Sequence, residues 1–139
     1  MFIHLLTRPE KEVLVDLLIR LTKIDDTFDK KEMDFLSDVQ LKHEIPLYNN
    51  PKLSVKQLCS NINNDQSRII IFQELLQLAY IDGDYCEIEK DFLNEIAKYF
   101  SIKAEKFVEI ERWIKSGLVW TANGHKILTS INTVTINHY

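Results

Sequence analysis

The feature that most constrains this chain is an internal repeat, because the sequence matches itself when it is shifted by 57 residues. A shared hydrophobic pattern alone would align apolar residues, but here three acidic positions are also identical. We therefore predict a duplicated helix–loop–helix, with units at about 10–45 and 66–102 and a pseudo-two-fold arrangement. The eight identical pairs are Leu18 and Leu75, Leu21 and Leu78, Ile24 and Ile81, Asp25 and Asp82, Glu32 and Glu89, Asp34 and Asp91, Phe35 and Phe92, and Leu36 and Leu93.

Few turn-forming residues point to long helices. The 139 residues include three Gly and three Pro, too few for the many tight turns of a β-sandwich or barrel. Apolar residues recur at the i, i+3 and i+4 spacing of a helix. This pattern predicts an all-α domain of about six to seven helices, the first six at about 9–24, 30–42, 54–60, 66–81, 87–100 and 102–116. The fourth is apolar on more than one face, which predicts that it is the central helix.

Short polar residues mark several of the predicted helix starts. Thr7-x-x-Glu10 and Ser54-x-x-Gln57 have the spacing of a capping box, in which each end residue bonds the backbone of the other. A loop ending at Asp65 supplies the cap of the central helix. Ser101 is predicted to cap the sixth helix.

The C-terminal part of the chain allows more than one structure. Gly117 has the character of a helix stop, yet Leu118 to Leu128 could form a seventh helix interrupted at Asn123-Gly124. The residues from Thr129 to Tyr139 are rich in Thr, Ile, Val and Asn, so they form either a strand or a loose tail. We therefore expect a helical domain at 1–128 and a tail at 129–139.

Charge and cysteine content exclude several classes of protein. The net charge of −4 argues against a nucleic-acid binder that relies on phosphate contacts. No run of about 18 uncharged apolar residues is present, so no transmembrane segment is expected. Cys59 and Cys86 lack CxxC spacing and fit a reducing compartment. Because no signal peptide is visible either, we expect a cytoplasmic protein.

The acidic residues are concentrated in the two related turns. Residues 22–38 and 82–95 each hold six acids, which together are twelve of the 21 in the chain, and no acid follows Glu111. The turns join the helices within each unit, at 24–32 in the first copy and 81–89 in the second. This concentration requires a local explanation.

The second turn resembles the signature of TerB-like domains, which occur in tellurite-resistance TerB proteins and at the N-terminus of DjlA-type co-chaperones. That signature is an apolar helix ending in Ala-x-x-Asp-Gly, an acid seven residues after the Asp, and then Phe-Leu. The first copy departs from it, with Thr22 in place of the Ala and Asp26 in place of the Gly. The resemblance covers about 10–118 and implies a compact all-helical domain of two related repeats, with acidic turns associated with divalent cations and a role in stress-response assemblies. The matching residues are Ala79, Asp82, Gly83, Glu89, Phe92 and Leu93.

Two explanations of the acidic turns stay open. In the first, the acids only stabilise helix ends: Gly83 permits a left-handed turn, and Glu89 falls near the third residue of the next helix, where the helix dipole favours a carboxylate. In the second, the carboxylates bind a hard cation, Ca²⁺ or Mg²⁺. Counting twelve residues from either first Asp reaches Leu rather than Glu, so the loop is not an EF-hand. The candidate ligands are Asp82, Asp84, Glu89, Asp25, Asp29 and Glu32.

These observations predict a non-catalytic module that binds a partner protein, with a divalent cation at the turns modulating the interaction. The alternative is a co-chaperone-like scaffold whose acids are purely structural. An enzyme that uses paired carboxylates is a third and weaker reading, since the acids resemble exposed turn residues. A modest basic face on the last two helices leaves docking to an acidic partner or an anionic membrane surface open; its residues are Lys98, Lys103, Lys106, Arg112 and Lys115.

Overall fold

The fold is all-α. The computed structural model describes residues 2–24, 30–46, 49–81 and 85–130, and within these ranges every regular element is helical. A short 3₁₀ turn at Ile3–Leu5 precedes six α-helices. None of the described helices combines the length and apolar character needed to cross a bilayer. The helices are α1 (Arg8–Lys23), α2 (Lys30–His43), α3 (Val55–Ser60), α4 (Asp65–Tyr80), α5 (Glu87–Tyr99) and α6 (Ala104–Thr129).

Helix α4 lies at the centre, which confirms the expectation from its apolar sequence. It contacts α1, α5, α6 and the N-terminal 3₁₀ turn. Its buried residues cover about two thirds of the circumference of the helix and include Ile71, Phe72, Leu75 and Leu76. Ile69, Gln73, Gln77 and Tyr80 form the remaining side, which is partly exposed. The Phe72 ring meets Phe107 of α6 edge to face, with centroids 5.1 Å apart. The other helices each cover one side of α4 or pack on its neighbours.

The predicted capping boxes are confirmed at α1 and α3, and α4 is capped one residue before the predicted Asp65. At α1, the Thr7 side chain accepts the Glu10 N–H and the Glu10 carboxylate accepts the Thr7 N–H. Ser54 and Gln57 form the same reciprocal pair at α3. Asn64 caps α4 by accepting the Ser67 N–H. These bonds satisfy backbone donors that have no partner inside the helix.

The 57-residue interval of the sequence is also the interval between helices. Adding 57 to the bounds of α1 gives the bounds of α4, and adding it to the start of α2 gives the start of α5. The ends of α2 and α5 correspond too, since Glu44 and Ser101 both adopt left-handed backbone angles, with φ of 53° and 57°. The duplication itself stays a prediction, but both copies begin and end their helices at equivalent positions.

Ser101 does not cap α6, so that prediction was wrong. Its left-handed conformation instead ends α5, where Ser101 N–H donates to Lys98 O and Ile102 N–H donates to Ala97 O. This pattern is a Schellman motif, a position where glycine is the preferred residue because it has no Cβ. The residue before α6 is Lys103, whose side chain makes no capping bond.

Replacing Ser101 with Gly should therefore stabilise the fold. We expect Ser101→Gly to raise the free energy of unfolding by about 0.5–1 kcal/mol, because the strain of a left-handed non-glycine residue is removed. The matched control is Ser116→Gly in the interior of α6, which should lower it by about 0.5 kcal/mol. Urea unfolding measures both. Equal destabilisation by the two variants would contradict the role given to Ser101.

Helix α6 runs for 26 residues from Ala104 to Thr129, so Gly117 and Gly124 do not stop it. The predicted break fails because a glycine inside a helix costs only about 1 kcal/mol relative to Ala and keeps its N–H donor, unlike a proline. The Thr121 hydroxyl also donates to Gly117 O at 2.8 Å. Residues 118–129 thus continue the sixth helix, and there is no separate seventh helix in the described ranges. The strand or tail was expected at 129–139. Thr129 is instead the last residue of α6 and Ser130 follows it as the C-cap, and residues 131–139 lie outside the described residues.

A buried ion pair holds the connection between α2 and α3 against α1. Asp16 is 3% exposed and accepts Arg20 Nε at 2.7 Å and Asn50 N–H at 2.8 Å. Arg20 Nη2 donates to the carbonyls of Asn50 and Leu53, each at 2.7 Å. Both oxygens of the Asp16 carboxylate and two nitrogens of the Arg20 guanidinium are therefore hydrogen-bonded. Charged groups that are removed from water require such partners. The sequence predicted a break at this loop but not the pair that fixes it.

Removing the buried carboxylate should cost far more than removing an exposed one on the same helix. We expect Asp16→Ala to lower the free energy of unfolding by about 2–4 kcal/mol, because Arg20 and the Asn50 N–H lose their partner. Glu12→Ala removes the exposed pair with Arg8, at the same i, i+4 spacing, and should change it by less than about 0.5 kcal/mol. Similar losses in urea unfolding would show that the Asp16 pair adds nothing beyond a surface pair.

Candidate acidic site at the start of α5

The two described acids of the predicted site occupy equivalent helix positions. Glu32 is the third residue of α2, and Glu89 is the third residue of α5. Glu89 is buried and Glu32 is half-buried. The predicted N3 position of both acids is thus confirmed, and there the helix dipole favours a carboxylate.

The structure brings no larger carboxylate cluster together in the ranges that it describes. Asp25, Asp29, Asp82 and Asp84 lie outside the described residues. Among the rest, no three His, Cys, Asp or Glu side chains are close enough to hold a metal ion. Cation binding by the six predicted ligands is therefore left as a prediction.

A cysteine that sequence reasoning did not place at this site contacts Glu89. Cys86 immediately precedes α5, and its Sγ donates to Glu89 Oε1 at 3.1 Å. The Glu89 backbone N–H favours the thiolate and lowers the pKa of Cys86, but partial burial and the bond to the Glu89 carboxylate outweigh it, so the pKa is raised. Cys86 therefore keeps its proton at neutral pH.

Cys59 is a different kind of thiol. It lies on α3, is 1% exposed, and belongs to the hydrophobic core. Burial raises its pKa to about 12, with a smaller contribution from the charge of Glu95. Cys59 is therefore a structural core thiol, whereas Cys86 borders the acidic turn.

Two tyrosines bracket the second acidic turn and pack against each other. The Tyr80 and Tyr85 ring centroids are 4.6 Å apart, and the Tyr80 hydroxyl donates to Glu111 Oε2 of α6 at 2.6 Å. Burial is the main cause that raises the pKa of both tyrosines, and the Glu111 carboxylate adds to it. Sequence reasoning missed this pair, although its signal is visible as a Tyr on each side of Ile-Asp-Gly-Asp.

The tyrosines line an open groove between α4, α5 and α6. The groove has a volume of about 440 Å³ and includes Glu111, Lys90 and Lys115. The Lys90 ammonium lies 5.5 Å from the centre of the Tyr85 ring, and Lys115 lies 5.5 Å from that of Tyr80. These are cation–π distances, so both ammonium groups lie over aromatic faces beside the turn.

The residues that form this site lie inside a recognised family domain. The family model described as tellurite resistance protein TerB matches residues 39–112, which is more than half of the chain. The chain belongs to the TerB family. No curated protein and no solved structure matched the chain.

The TerB match starts near the end of α2 and ends inside α6. It contains the whole second copy of the repeat, including Cys86, Glu89 and both tyrosines. The first acidic turn lies outside it, which agrees with the weaker signature that the sequence shows there. The resemblance recognised from the second turn is therefore confirmed as a family relationship.

The contact between Cys86 and Glu89 can be tested by thiol reactivity. Glu89→Gln removes the negative charge beside the thiol, so the Cys86 pKa should fall and its alkylation by iodoacetamide at pH 7.5 should accelerate about three- to tenfold. Glu87→Gln is the control, because Glu87 is exposed and pairs with Lys90; it should change the rate less than twofold.

Labelling of buried Cys59 in the same samples reports unfolding. Mass spectrometry of the alkylated peptides separates the two cysteines. Faster labelling of Cys86 without any change at Cys59 supports the contact. Equal acceleration by Glu87→Gln would contradict it.

Proposed function

We propose that this TerB chain is a non-catalytic module that binds a partner protein, and that a divalent cation at its acidic turns modulates this binding. Membership of the TerB family, whose model is described as tellurite resistance protein TerB, supports an association with tellurite resistance. The observation that carries the cation proposal is the burial of Glu89 at the end of the Asp-Gly-Asp turn. Glu89 is 9% exposed, and Asp82, Asp84 and Glu87 lie within seven residues of it in the sequence. A cation would add a favourable charge to the interactions of this carboxylate.

The proposed ligands are hard oxygen donors. Carboxylates at Asp82, Asp84 and Glu89 suit Ca²⁺ or Mg²⁺. Asp25, Asp29 and Glu32 supply the same chemistry in the first copy. Because Glu32 and Glu89 begin equivalent helices 57 residues apart, the two turns would bind cations in equivalent ways.

A second candidate is a scaffold whose acids serve only the helix ends. The position of Glu89 at the third residue of α5, with the Cys86 thiol donating to it, favours this alternative. A carboxylate at this position is stabilised by the helix dipole without any metal. The partner protein would then bind independently of cations.

The arrangement gives little support to an enzyme. The carboxylate in the groove beside the turn is Glu111, which accepts the Tyr80 hydroxyl. Both tyrosines hold their protons at neutral pH because their pKa values are raised. A tyrosine that acts as a general base near neutral pH needs a lowered pKa instead.

Calorimetric titration with Ca²⁺ and with Mg²⁺ distinguishes the two candidates. If the turns bind a cation, we expect a dissociation constant below millimolar, weakened at least tenfold by Asp82→Asn. Asp91→Asn is the matched control, since Asp91 is an exposed acid of α5 outside the predicted set, and it should leave the affinity unchanged.

The Cys86 thiol provides a second readout. A cation bound to Glu89 neutralises the carboxylate, so saturating Ca²⁺ or Mg²⁺ should accelerate Cys86 alkylation in the wild type but not in Asp82→Asn. No binding below millimolar, together with an Asp82→Asn variant that changes only thermal stability, would leave the scaffold with structural acids as the function.

A further inference from the structure

The C-terminal half of α6 carries an apolar stripe that the described chain leaves largely exposed. At its start, the Trp113 ring stacks on Phe2, with centroids 6.3 Å apart. The residues from Lys115 to Ser130 are all exposed. Trp120 is 79% exposed, Ile127 67% and Trp113 41%. Gly117 and Gly124 lie between them at heptad spacing, so five residues fall on one side of the helix. We call Trp113, Gly117, Trp120, Gly124 and Ile127 the Trp–Gly stripe.

Nothing within the described chain requires either glycine of the stripe. A Cβ built at Gly117 or at Gly124 meets no described atom within 4 Å. Neither glycine ends the helix, and glycine weakens a helix relative to alanine. Because glycine has no side chain, these two positions beside exposed tryptophans leave room for the side chains of another molecule to contact the helix closely.

We propose that this stripe binds the same stripe of a second copy of the chain, with the two α6 helices antiparallel. The reason is that the order of large and small residues is self-complementary only in this direction. When Gly117 of one copy faces Trp120 of the other, Trp113 faces Gly124, and Ile127 lies level with the buried Ile110. Each tryptophan then enters the space above a glycine, in the manner of knobs and holes. A parallel pair would set Trp against Trp and Gly against Gly, which leaves voids.

Two grooves on the structure lie where this pairing needs them. One of about 490 Å³ borders Gly117 and is lined by Trp113, Trp120 and Gln77 of α4. In the antiparallel pair it receives Trp120 of the second copy. The other, of about 390 Å³, includes Phe2 and Ile110. It lies level with Ile127 of the second copy.

The distribution of charge favours a second copy over an acidic protein or an anionic membrane. The residues that flank the stripe are uncharged: Ser116, Thr121, Asn123 and Leu128. Lys115 and Lys126 lie on the opposite side of the helix, given 100° per residue, so they face away from any surface that covers the stripe. Two neutral stripes can meet without repulsion.

The contact is expected to be weak and reversible. The stripe from Trp113 to Ile127 is about 21 Å long at 1.5 Å per residue, so the interface falls at the small end for specific complexes. We expect a dissociation constant in the micromolar range. This proposal does not depend on the acidic turns, because the stripe lies on another part of the molecule.

Sedimentation velocity of the full chain at about 1–200 µM tests the proposal, with a monomer–dimer equilibrium as the expected result. Trp120→Ala should weaken the dimer at least tenfold. Gly117→Leu should do the same by filling the space that Trp120 of the second copy occupies, while it stabilises the helix of the monomer. Val119→Ala removes an exposed apolar side chain outside the stripe and should leave the dimer unchanged.

A spin label on Leu128→Cys, combined with Cys86→Ser, measures the direction of the pair. The antiparallel arrangement predicts roughly 30 Å between the two labels from the helix rise, and a parallel one about 10 Å. A monomer at every concentration, a dimer unaffected by Gly117→Leu, or the short label distance would overturn the proposal. So would a chain that stays monomeric and shifts its Trp fluorescence on phosphatidylglycerol vesicles.

Discussion

The fold depends on the burial of α4 over most of its circumference. Because buried residues occupy several sides of this helix, no single neighbour can cover them, and α1, α5 and α6 all contact it. The site follows from the same arrangement. Helix α4 ends at Tyr80, directly before the second acidic turn, and the Tyr80 hydroxyl bonds Glu111 of α6. Tyr80, at the end of α4, is thus held against α6, and both helices pack against the core.

Much of this fold could be predicted because the deciding forces are local. Capping residues and apolar residues at i, i+3 and i+4 act within a few turns of one helix. Together with the 57-residue repeat, they predicted the bounds of α1 to α5 within two residues. The continuity of α6 depends on a small energy difference at Gly117 and Gly124, which no local pattern decides. The role of Ser101 depends on its backbone angle. Serine is common both at helix N-caps and in turns, so the residue type alone does not predict which of the two Ser101 forms.

The site was predictable only in part, for a related reason. The positions of Glu32 and Glu89 follow from the length of the turn and the start of the next helix. The contacts of Glu111 with Tyr80 and of Asp16 with the Asn50 loop join residues about 30 positions apart. Such pairs depend on how helices are arranged in space, and one sequence carries no signal for them. The same holds for the Lys90 and Lys115 ammonium groups over the tyrosine rings.

The TerB family relationship covers the acidic site at the start of α5 but not the C-terminal half of α6. The TerB match ends at residue 112, and the Trp–Gly stripe begins at Trp113. The acids end at almost the same place, since Glu111 is the last in the chain. Helix α6 therefore joins two surfaces of opposite character: Glu111 faces the tyrosines beside an acidic turn, and the residues after it form a neutral, apolar helix face. A chain that only needed to bury α4 could end α6 near Ile114, where burial stops. The fifteen helical residues beyond it contribute no buried side chain to the core, so their apolar stripe is best explained by contact outside the monomer.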